Sequence, residues 1–335
     1  MALDKRPGKI NGEDRIITQW DKGSCHVLGR LVETAHAKIN LALDVGAVRP
    51  DGYHEIHSVM QSLLLGDVVV LEDRPAGVSL ECLAAAPVHQ GAMRFIGSDE
   101  ESMPPFDQRN LAWRAAEQLM EDTGICRGLH ITIHKGIPLS AGLGGGSADA
   151  AAVLRGLNRL WGLGLSLEKL AAIGAKLGAD IPFCLYGGTA EAKGIGEIIR
   201  SVQPLPPWPV ILLKPPISIS TAACYREYDG LSRAVRIDVT SMLSAVVEQN
   251  LDRLVACLGN SLEAVVLPRF AEMAYYRTLM EKRGCLGVLM SGSGPTLFGL
   301  VRDLEHGCDI FARLAQDLRQ EQQGPLPNLY LTRLC

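Results

Sequence analysis

The sequence predicts an α+β protein built from two domains, and three observations indicate this architecture. Segments with the two-residue alternation of strands are interspersed with segments whose apolar residues repeat at helical spacing. The chain has 335 residues, which is long enough for two hydrophobic cores. A proline-rich break at 204–209 lies where one domain can end and another begin.

This break divides the chain into an amino-terminal extension at 1–30, a first domain at 31–205 and a second domain at 206–335. The extension mixes acidic and basic residues and lacks the apolar stretch of a secretory signal, so we expect it to be loosely ordered. The segment 84–108 is irregular and rich in proline, glycine and acidic residues. We expect it to form a surface loop.

The overall composition argues against several classes of function. The formal net charge is −4 with a pI near 6.1, which is not typical of a protein that binds nucleic acid. No apolar run reaches the roughly 18 residues of a membrane span. Nine cysteines without a C-x-x-C pair indicate neither a disulfide framework nor a zinc site. We therefore expect a cytoplasmic protein with no nucleic-acid or membrane partner, either a monomer or a homodimer.

The most informative stretch is a glycine-dense turn, Pro138–Ser147, that runs into a predicted helix. Four glycines within five residues remove β-carbons, so backbone N–H groups can converge on an anion. Ser147 is the predicted N-cap of the helix, whose dipole points its positive end at the turn. The helix is predicted from apolar residues that share one face, namely Ala150, Val153, Leu154, Leu157, Leu160 and Trp161.

Two common phosphate-binding loops do not match this turn. A Walker A loop needs a lysine and a hydroxyl residue after its last glycine, whereas Ser147 and Ala148 follow Gly146. A dinucleotide-binding fingerprint needs a third glycine or alanine where Ser147 stands, and it follows a strand directly. Here Pro138 separates the turn from the strand predicted at 129–134. The turn is therefore a phosphate loop of another kind, or a tight turn made for packing.

An early strand, predicted at 37–44, displays two polar side chains together. Because side chains alternate along a strand, Lys38 and Asn40 lie on one face and the apolar residues on the other. Taken alone, such a pair is more often part of a solvated strand face. The segment that follows favours a functional role for the pair.

That segment is a Pro-Asp-Gly turn at 50–52 followed at once by Tyr53 and His54. An aromatic face beside an imidazole edge is suited to holding a flat heterocycle. His54 and His57 also have the H-x-x-H spacing of metal ligands, but no third ligand lies nearby in the sequence. We therefore favour a binding role over a metal site.

Asp180 follows a helix that is predicted to begin at Ser166. We expect Pro182 to force Ile181 out of the helical region, which leaves Asp180 at a helix end. Taken alone, an aspartate in this setting is usually a cap or a turn residue.

Taken together, these motifs resemble the GHMP kinases, small-molecule kinases that include galactokinase, homoserine kinase and mevalonate kinase. Their second signature is similar to the proline, the Gly-Leu-Gly-Gly-Gly-Ser run and the Asp-Ala-Ala that begin at Pro138. The sequences AKINL, RPDGYH and QSLLLGD resemble the members whose acceptor carries a cytidine diphosphate group. The resemblance covers roughly residues 35–301 and has gaps.

The resemblance implies a two-domain GHMP kinase fold with the active site in the cleft between the domains. It implies ATP with Mg²⁺ and direct phosphorylation of the 2-hydroxyl of a methylerythritol linked to cytidine diphosphate, in the non-mevalonate route to isoprenoid precursors. Asp180 is implied as the catalytic base and Lys38 as its electrostatic partner. No protein ligand for the metal is assigned, although Ser147 is placed to reach Mg²⁺ or a phosphate oxygen.

The resemblance also implies the other site residues. The substrate is expected to contact Asn40, Tyr53, His54 and Tyr225, the last as an aromatic beside the cytosine ring. The ATP phosphates are expected at Pro138, Ala141, Gly142, Leu143, Gly144, Gly145, Gly146, Ser147 and Ala148. A third family motif, expected to support the phosphate loop from the second domain, contains Ser291, Gly292, Ser293 and Gly294.

Two other functions stay open. A GHMP kinase for a sugar, homoserine or mevalonate would keep the glycine turn but would have no use for the Tyr53 and His54 pair. A catalytically silent relative would serve as a ligand-sensing binding protein, and the presence of both Lys38 and Asp180 argues against silence. Ala148 stands where many relatives have a second serine. This residue argues against a role for a hydroxyl group at this position, but it does not argue against a phosphate-binding loop.

Overall fold

The computed structural model describes residues 29–85, 91–97, 103–320 and 325–335. The expectation of a loosely ordered extension therefore falls almost wholly outside the described residues, as does part of the segment expected to be a surface loop. The described residues form two β-sheets covered by helices, which agrees with the predicted α+β class.

Twelve strands are described. They are β1 (Arg30–Val48), β2 (His54–Arg74), β3 (Val78–Ala84), β4 (Arg94–Ile96), β5 (Gly128–Lys135), β6 (Thr189–Lys193), β7 (Ile198–Ser201), β8 (Pro209–Lys214), β9 (Gly259–Asn260), β10 (Gly287–Met290), β11 (Leu297–Leu300) and β12 (Asn328–Arg333). The first sheet has the order β3-β5-β2-β1-β9, with β6 paired to β2 and β7 to β6. The second sheet has the order β10-β11-β8-β12-β4.

Ten helices are described. They are α1 (Leu111–Thr123), α2 (Gly145–Leu160), α3 (Leu167–Ala175), α4 (Asp180–Tyr186), α5 (Thr221–Asp229), α6 (Val239–Glu248), α7 (Leu251–Ala256), α8 (Glu263–Arg269), α9 (Ala271–Arg283) and α10 (Leu304–Gln320). Helix α2 packs against β1, β2 and α1, while α9 and α10 pack against the second sheet. The helix that follows the glycine turn is thus held inside the first core.

Local sequence signals mark several element boundaries correctly. Asn110 caps α1 by accepting a hydrogen bond from the Ala112 N–H at 2.9 Å, and the helix ends at Gly124 in the left-handed conformation. Ser166 caps α3, as expected. Strands β6 and β7, which follow Gly187, form an antiparallel hairpin. These boundaries were predictable because each is set by a residue with a distinct backbone preference.

Two predicted helix boundaries are wrong. Helix α2 begins at Gly145 with Gly144 as its N-cap, so Ser147 lies in the first turn and does not cap the helix. Helix α4 begins at Asp180 and includes Ile181 and Pro182. A proline is tolerated there because the first N–H groups of a helix have no intrahelical acceptor.

The surface loop expected at 84–108 contains a strand, β4, in its described part. Phe95 and Ile96 pair with Tyr330 and Leu329 of β12, and the rings of Phe95 and Tyr330 lie 4.8 Å apart. A strand of three residues is too short to show alternation in the sequence. It joins the second sheet although it precedes the predicted domain boundary at 205. The domain limits themselves stay a prediction.

In the part of the chain that the structure describes, no helix has the length and apolar character needed to cross a bilayer. The eight cysteines within those residues are all free. The cytoplasmic location, and the choice between monomer and homodimer, stay predictions.

Candidate active site

A cavity of about 690 Å³ is lined by residues from both halves of the chain. The first half contributes β1, the turn at 52–54, the glycine turn and the start of α4. The second half contributes α5 and the loop at 292–293. The structure therefore brings together segments that are far apart in the sequence. Several predicted site residues do not line the cavity themselves, namely Pro138, Ala141, Leu143, Gly145, Gly146, Ala148, Ser291 and Gly294.

The glycine turn approaches its neighbours too closely to carry side chains. Gly142 and Gly144 have positive φ angles of 73° and 71°. A β-carbon on Gly142 would lie 2.4 Å from the carbonyl oxygen of Ser291, and one on Gly144 would lie 2.9 Å from Cγ of Lys38. Glycine is needed at both positions because of backbone conformation and space.

The loop between β10 and β11 supports this turn. The Ser291 hydroxyl donates to the Gly142 carbonyl at 3.0 Å, and the Thr296 N–H donates to the Ala141 carbonyl at 3.3 Å. Gly292 and Ser293 face the cavity, and Gly294 lies beside Gly142. The third family motif thus contacts the glycine turn directly.

A residue that sequence reasoning missed holds the supporting loop in place. The buried Asn260 side chain donates to the carbonyls of Met290 and Gly292, both at 2.8 Å. The β9 strand that carries Asn260 pairs with β1. Asn260 therefore connects the strand of Lys38 with the loop, and no local pattern around it indicates this role.

Lys38 and Asp180 both line the cavity and contact each other. The Lys38 ammonium lies 3.4 Å from Oδ2 of Asp180 and 2.9 Å from Oδ1 of Asn40. Lys38 is only 5% exposed, whereas the Asp180 side chain is 34% exposed. The Lys38 backbone N–H donates to the Leu143 carbonyl at 2.9 Å, which joins β1 to the glycine turn. A buried cation is thus fixed beside a carboxylate that a substrate can reach.

Asn40 orients the lysine. Its Nδ2 donates to the Ser58 hydroxyl at 2.9 Å, and that hydroxyl donates to the Ala42 carbonyl at 2.7 Å. This chain leaves Oδ1 of Asn40 to accept from Lys38, which confirms that the two residues share a strand face. Asn40 also lines the cavity, so its expected contact with the substrate stays a prediction.

Three aromatic rings also line the cavity. The rings of His54 and Tyr225 have centroids 4.9 Å apart with an interplanar angle of 40°. Tyr53 is 60% exposed and also lines the cavity. Burial raises the pKa of the Tyr225 hydroxyl above its usual range, so it remains a neutral aromatic. The geometry brings Tyr225 to the pair that the sequence predicted as a heterocycle site.

The two histidines of the H-x-x-H spacing contact different carboxylates. His54 Nε2 lies 2.6 Å from Oδ1 of Asp229, and His57 Nε2 lies 2.7 Å from Oε1 of Glu191. Hydrogen bonds from Arg200, His57 and Lys193 outweigh burial and lower the pKa of Glu191 to about 2. Within the described ranges, no group of three potential metal ligands occurs.

Beneath the glycine turn lies a buried ionic cluster that sequence reasoning also missed. The Lys135 ammonium donates to Asp67 and, at 2.7 Å, to Oδ2 of Asp149. Oδ1 of Asp67 also accepts from the N–H groups of Gly136 and Ile137, at 2.6 and 2.8 Å. The cluster ties the segment that enters the turn to the helix that leaves it.

The cluster contains one basic side chain, Lys135, and two carboxyl groups, Asp67 and Asp149. Burial strongly affects their pKa values. Burial, assisted by the charge of Asp67, raises the pKa of Asp149 well above its usual value despite the neighbouring ammonium. Attraction to the two carboxylates raises the pKa of Lys135 above its usual range. Oδ1 of Asp149 has no hydrogen-bond partner among the described residues. Asp149 is therefore the less stabilised of the two carboxylates.

Comparisons with known proteins identify the family of the chain. The model for the GHMP kinases N terminal domain matches residues 110–188, and that for the GHMP kinases C terminal domain matches 242–320. The chain is 46% identical over 272 residues to the 4-diphosphocytidyl-2-C-methyl-D-erythritol kinase of Geobacillus kaustophilus, covering 81% of this chain and 88% of the relative. It is 45% identical over 276 residues to the Bacillus subtilis protein of that name, covering 82% and 89%.

Solved structures show the same relationship. A crystal structure of 4-(cytidine 5'-diphospho)-2C-methyl-D-erythritol kinase superposes with a TM-score of 0.71 at 32% identity, over 90% of this chain and 99% of that chain. A homoserine kinase from Cytophaga hutchinsonii has a TM-score of 0.70 at 18% identity, over 94% and 98% of the two chains. The second match shows a shared fold only.

Proposed function

The chain belongs to the 4-diphosphocytidyl-2-C-methyl-D-erythritol kinase family of GHMP kinases, and from this we propose how its own residues perform the reaction. It is an ATP-dependent kinase that phosphorylates the 2-hydroxyl of 4-diphosphocytidyl-2-C-methyl-D-erythritol in the non-mevalonate route to isoprenoid precursors. The observation that carries the mechanism is the contact between Lys38 and Asp180 at a cavity of about 690 Å³.

Asp180 acts as the base in a direct transfer. Its carboxylate accepts the proton of the acceptor hydroxyl as that oxygen bonds to the γ-phosphorus, and the bond to the leaving ADP oxygen breaks. The Lys38 ammonium lies beside the Asp180 carboxylate and stabilises charge on the transferred group. Because the hydroxyl attacks the phosphorus itself, no phosphorylated enzyme forms.

The ATP phosphates lie over the glycine turn, between Gly142 and Ser147. The first intrahelical bond of α2 runs from the Ala148 N–H to the Gly144 carbonyl at 2.8 Å. The N–H groups that precede it have no acceptor within the helix, and the helix dipole adds positive potential there. Such preorganised donors stabilise the charge that spreads over the phosphoryl oxygens in the transition state.

The site fits a magnesium ion that is carried by the nucleotide. Ser147 and Asp180 both line the cavity, and their oxygens are of the kind that Mg²⁺ prefers. The described residues contain no larger group of ligands, so most of the coordination would come from phosphates and water. When bound, the ion would neutralise charge on the phosphates.

The cytidine end of the substrate lies against Tyr53, His54 and Tyr225, away from the chemistry. The tilted pair of His54 and Tyr225 gives an aromatic wall, and Tyr53 gives a second ring at the cavity mouth. Binding energy gained here holds the distant hydroxyl in line with the γ-phosphate. Asn40 acts instead at the catalytic end, where its Oδ1 fixes Lys38.

The proposed function is tested by measuring ADP release from purified protein with Mg-ATP and 4-diphosphocytidyl-2-C-methylerythritol. The control reaction uses the same acceptor without its cytidine group. We expect turnover only with the cytidylated compound, because the aromatic end of the cavity would otherwise be empty. Turnover of neither compound by folded protein would contradict the proposed function, and equal turnover of both would contradict the cytidine site.

His54→Ala is expected to raise the KM for the cytidine substrate roughly tenfold to hundredfold, because a ring contact and a hydrogen-bonding edge are lost. The kcat at saturation should change little, since His54 does not contact Lys38 or Asp180. Steady-state kinetics of the variant measure both constants. His57→Ala is the matched control, and its KM should stay near that of the unmodified protein because His57 contacts Glu191 instead. A lowered kcat with an unchanged KM would contradict the assignment.

A further inference from the structure

One arginine of helix α2 contacts both segments that carry the proposed catalytic pair. Arg155 Nη2 donates to the Thr34 carbonyl of β1 at 2.9 Å, and its Nη1 donates to the Cys184 carbonyl of α4 at 2.8 Å. Strand β1 carries Lys38, and α4 begins at Asp180. The glycine turn leads directly into α2. One guanidinium therefore joins the helix of the glycine turn, the strand of the lysine and the helix of the aspartate.

A buried carboxylate holds this guanidinium in place. Arg155 Nε donates to Oε2 of Glu33 at 3.3 Å, and Arg159 Nη1 donates to Oε1 of the same side chain at 2.6 Å. The Arg155 side chain is 25% exposed, whereas that of Arg159 is 66% exposed. A planar guanidinium has donors in several fixed directions, so it can serve three separate acceptors at once. Arg155 is thus a partly buried connection, and Arg159 is an exposed partner of the same carboxylate.

The contact with α4 satisfies a group that the helix cannot satisfy itself. The Cys184 carbonyl lies in the last turn of α4, where carbonyls have no donor within the helix. Arg155 supplies the donor, and its positive charge is favourable at the negative end of a helix. Apolar packing also holds α4, since Ile181 is buried and its Cγ2 lies 2.5 Å from the place of a β-carbon on Gly174. Replacing Arg155 therefore removes a polar contact of α4 while the apolar packing remains.

We propose that Arg155 is a positioning residue that sets the distance between Lys38 and Asp180 and holds both of them at the glycine turn. The proposal rests on the proposed function, in which these two side chains perform the transfer. Thr34 lies four residues before Lys38 along β1. Cys184 lies four residues after Asp180 along α4. Arg155 does not line the cavity, so it acts through these two elements. A displacement of about 1 Å at reacting groups can lower a rate about a hundredfold.

The first test is the steady-state kinetics of Arg155→Met, in which methionine keeps an apolar stem but has no donor. We expect kcat to fall about tenfold or more, because α4 and β1 are no longer joined to α2. The KM for the cytidine substrate should change little, since Tyr53 and His54 are untouched. A normal kcat, or a raised KM with a normal kcat, would overturn the proposal.

Arg155→Lys separates the connection from the charge. Its ammonium group keeps the positive charge, but a single nitrogen cannot reach three separate acceptors as the guanidinium does. We expect kcat to fall in this variant as well. A normal kcat in folded Arg155→Lys would mean that charge alone is sufficient, and the proposal would be wrong.

Arg159→Gln is the matched control. Arg159 lies on the same helix and pairs with the same carboxylate, so either variant costs Glu33 one of these two arginine partners. Within the described residues, Arg159 makes no hydrogen bond to α4. Its kcat should be normal. An equal fall of kcat in Arg159→Gln and Arg155→Met would mean that the pairing of Glu33 is responsible, which contradicts the proposal.

A double-mutant cycle distinguishes positioning from a general loss of structure. If Arg155 acts through Asp180, Arg155→Met should lower kcat by only about twofold or less in an Asp180→Asn background. A variant that merely loosens the protein would lower kcat by the same factor in both backgrounds. Such additivity would overturn the proposal.

Amide hydrogen exchange tests the contact independently of the reaction. The α4 amides should exchange at least about tenfold faster in Arg155→Met than in the unmodified protein, and at unchanged rates in Arg159→Gln. Unchanged exchange across α4 in Arg155→Met would contradict the positioning role. If the unmodified protein does not phosphorylate the cytidine substrate, the proposed function fails, and the exchange rates still decide whether Arg155 fixes α4.

Discussion

Asp180→Asn is expected to lower kcat by at least about a hundredfold, within the range typical for the loss of a general base. The KM values for ATP and for the cytidine substrate should change little, because the amide keeps the shape of the side chain and the binding residues lie elsewhere. The hydroxyl would lose its proton acceptor, and Lys38 would lose the anion that lies 3.4 Å from its ammonium group. Steady-state kinetics with each substrate varied in turn measure this separation of constants.

Asp252→Asn serves as the matched control for that experiment. Asp252 is an exposed aspartate paired with Arg302, and it does not line the cavity. Its kcat should be normal, which shows that the loss of an aspartate alone has no effect. If folded Asp180→Asn retained a normal kcat, Asp180 could not be the base. If both KM values rose instead, its role would be in binding.

The parts of the site that the sequence predicted are those whose chemistry is local. The glycine turn was recognisable because Gly142 and Gly144 need positive φ angles and have no room for a β-carbon. Lys38 and Asn40 were recognisable as a pair because strand periodicity places them on one face, and their hydrogen bond of 2.9 Å confirms it. Tyr53 and His54 followed from a turn signal beside them.

The missed residues act over long separations in the chain. Asp229 lies 175 residues from His54, and Lys135 lies 68 residues from Asp67. No spacing rule connects such pairs, because the contacts depend on how separate elements pack. The wrong boundaries at Ser147 and Ile181 have a different origin. There the local preference was real, but Gly144 and the tolerance of a first helical turn for proline satisfied the backbone in another way.

Lys135→Met is expected to lower the free energy of unfolding by about 3–5 kcal/mol, which is the usual cost of removing one partner from a buried ionic group. Methionine keeps most of the volume, so the loss would come from the two carboxylates rather than from a cavity. Asp67 and Asp149 are buried and would face each other without a cation. Urea unfolding monitored by circular dichroism measures the change.

Asp149→Asn is the matched variant for Lys135→Met, and the two variants should differ in how their stability depends on pH. Burial raises the folded-state pKa of Asp149 above its unfolded value of about 3.9, so its contribution to stability is lost as pH rises through the folded value. The asparagine side chain would avoid the cost of ionising a buried carboxyl while its oxygen still accepts from Lys135, so we expect no loss of stability near neutral pH.

Without Lys135, ionising the buried carboxyls becomes harder still. The loss of unfolding free energy in Lys135→Met should therefore be larger at about pH 8 than at about pH 5. A deficit that shrinks with rising pH would mean that Lys135 stabilises the cluster through packing and not through charge.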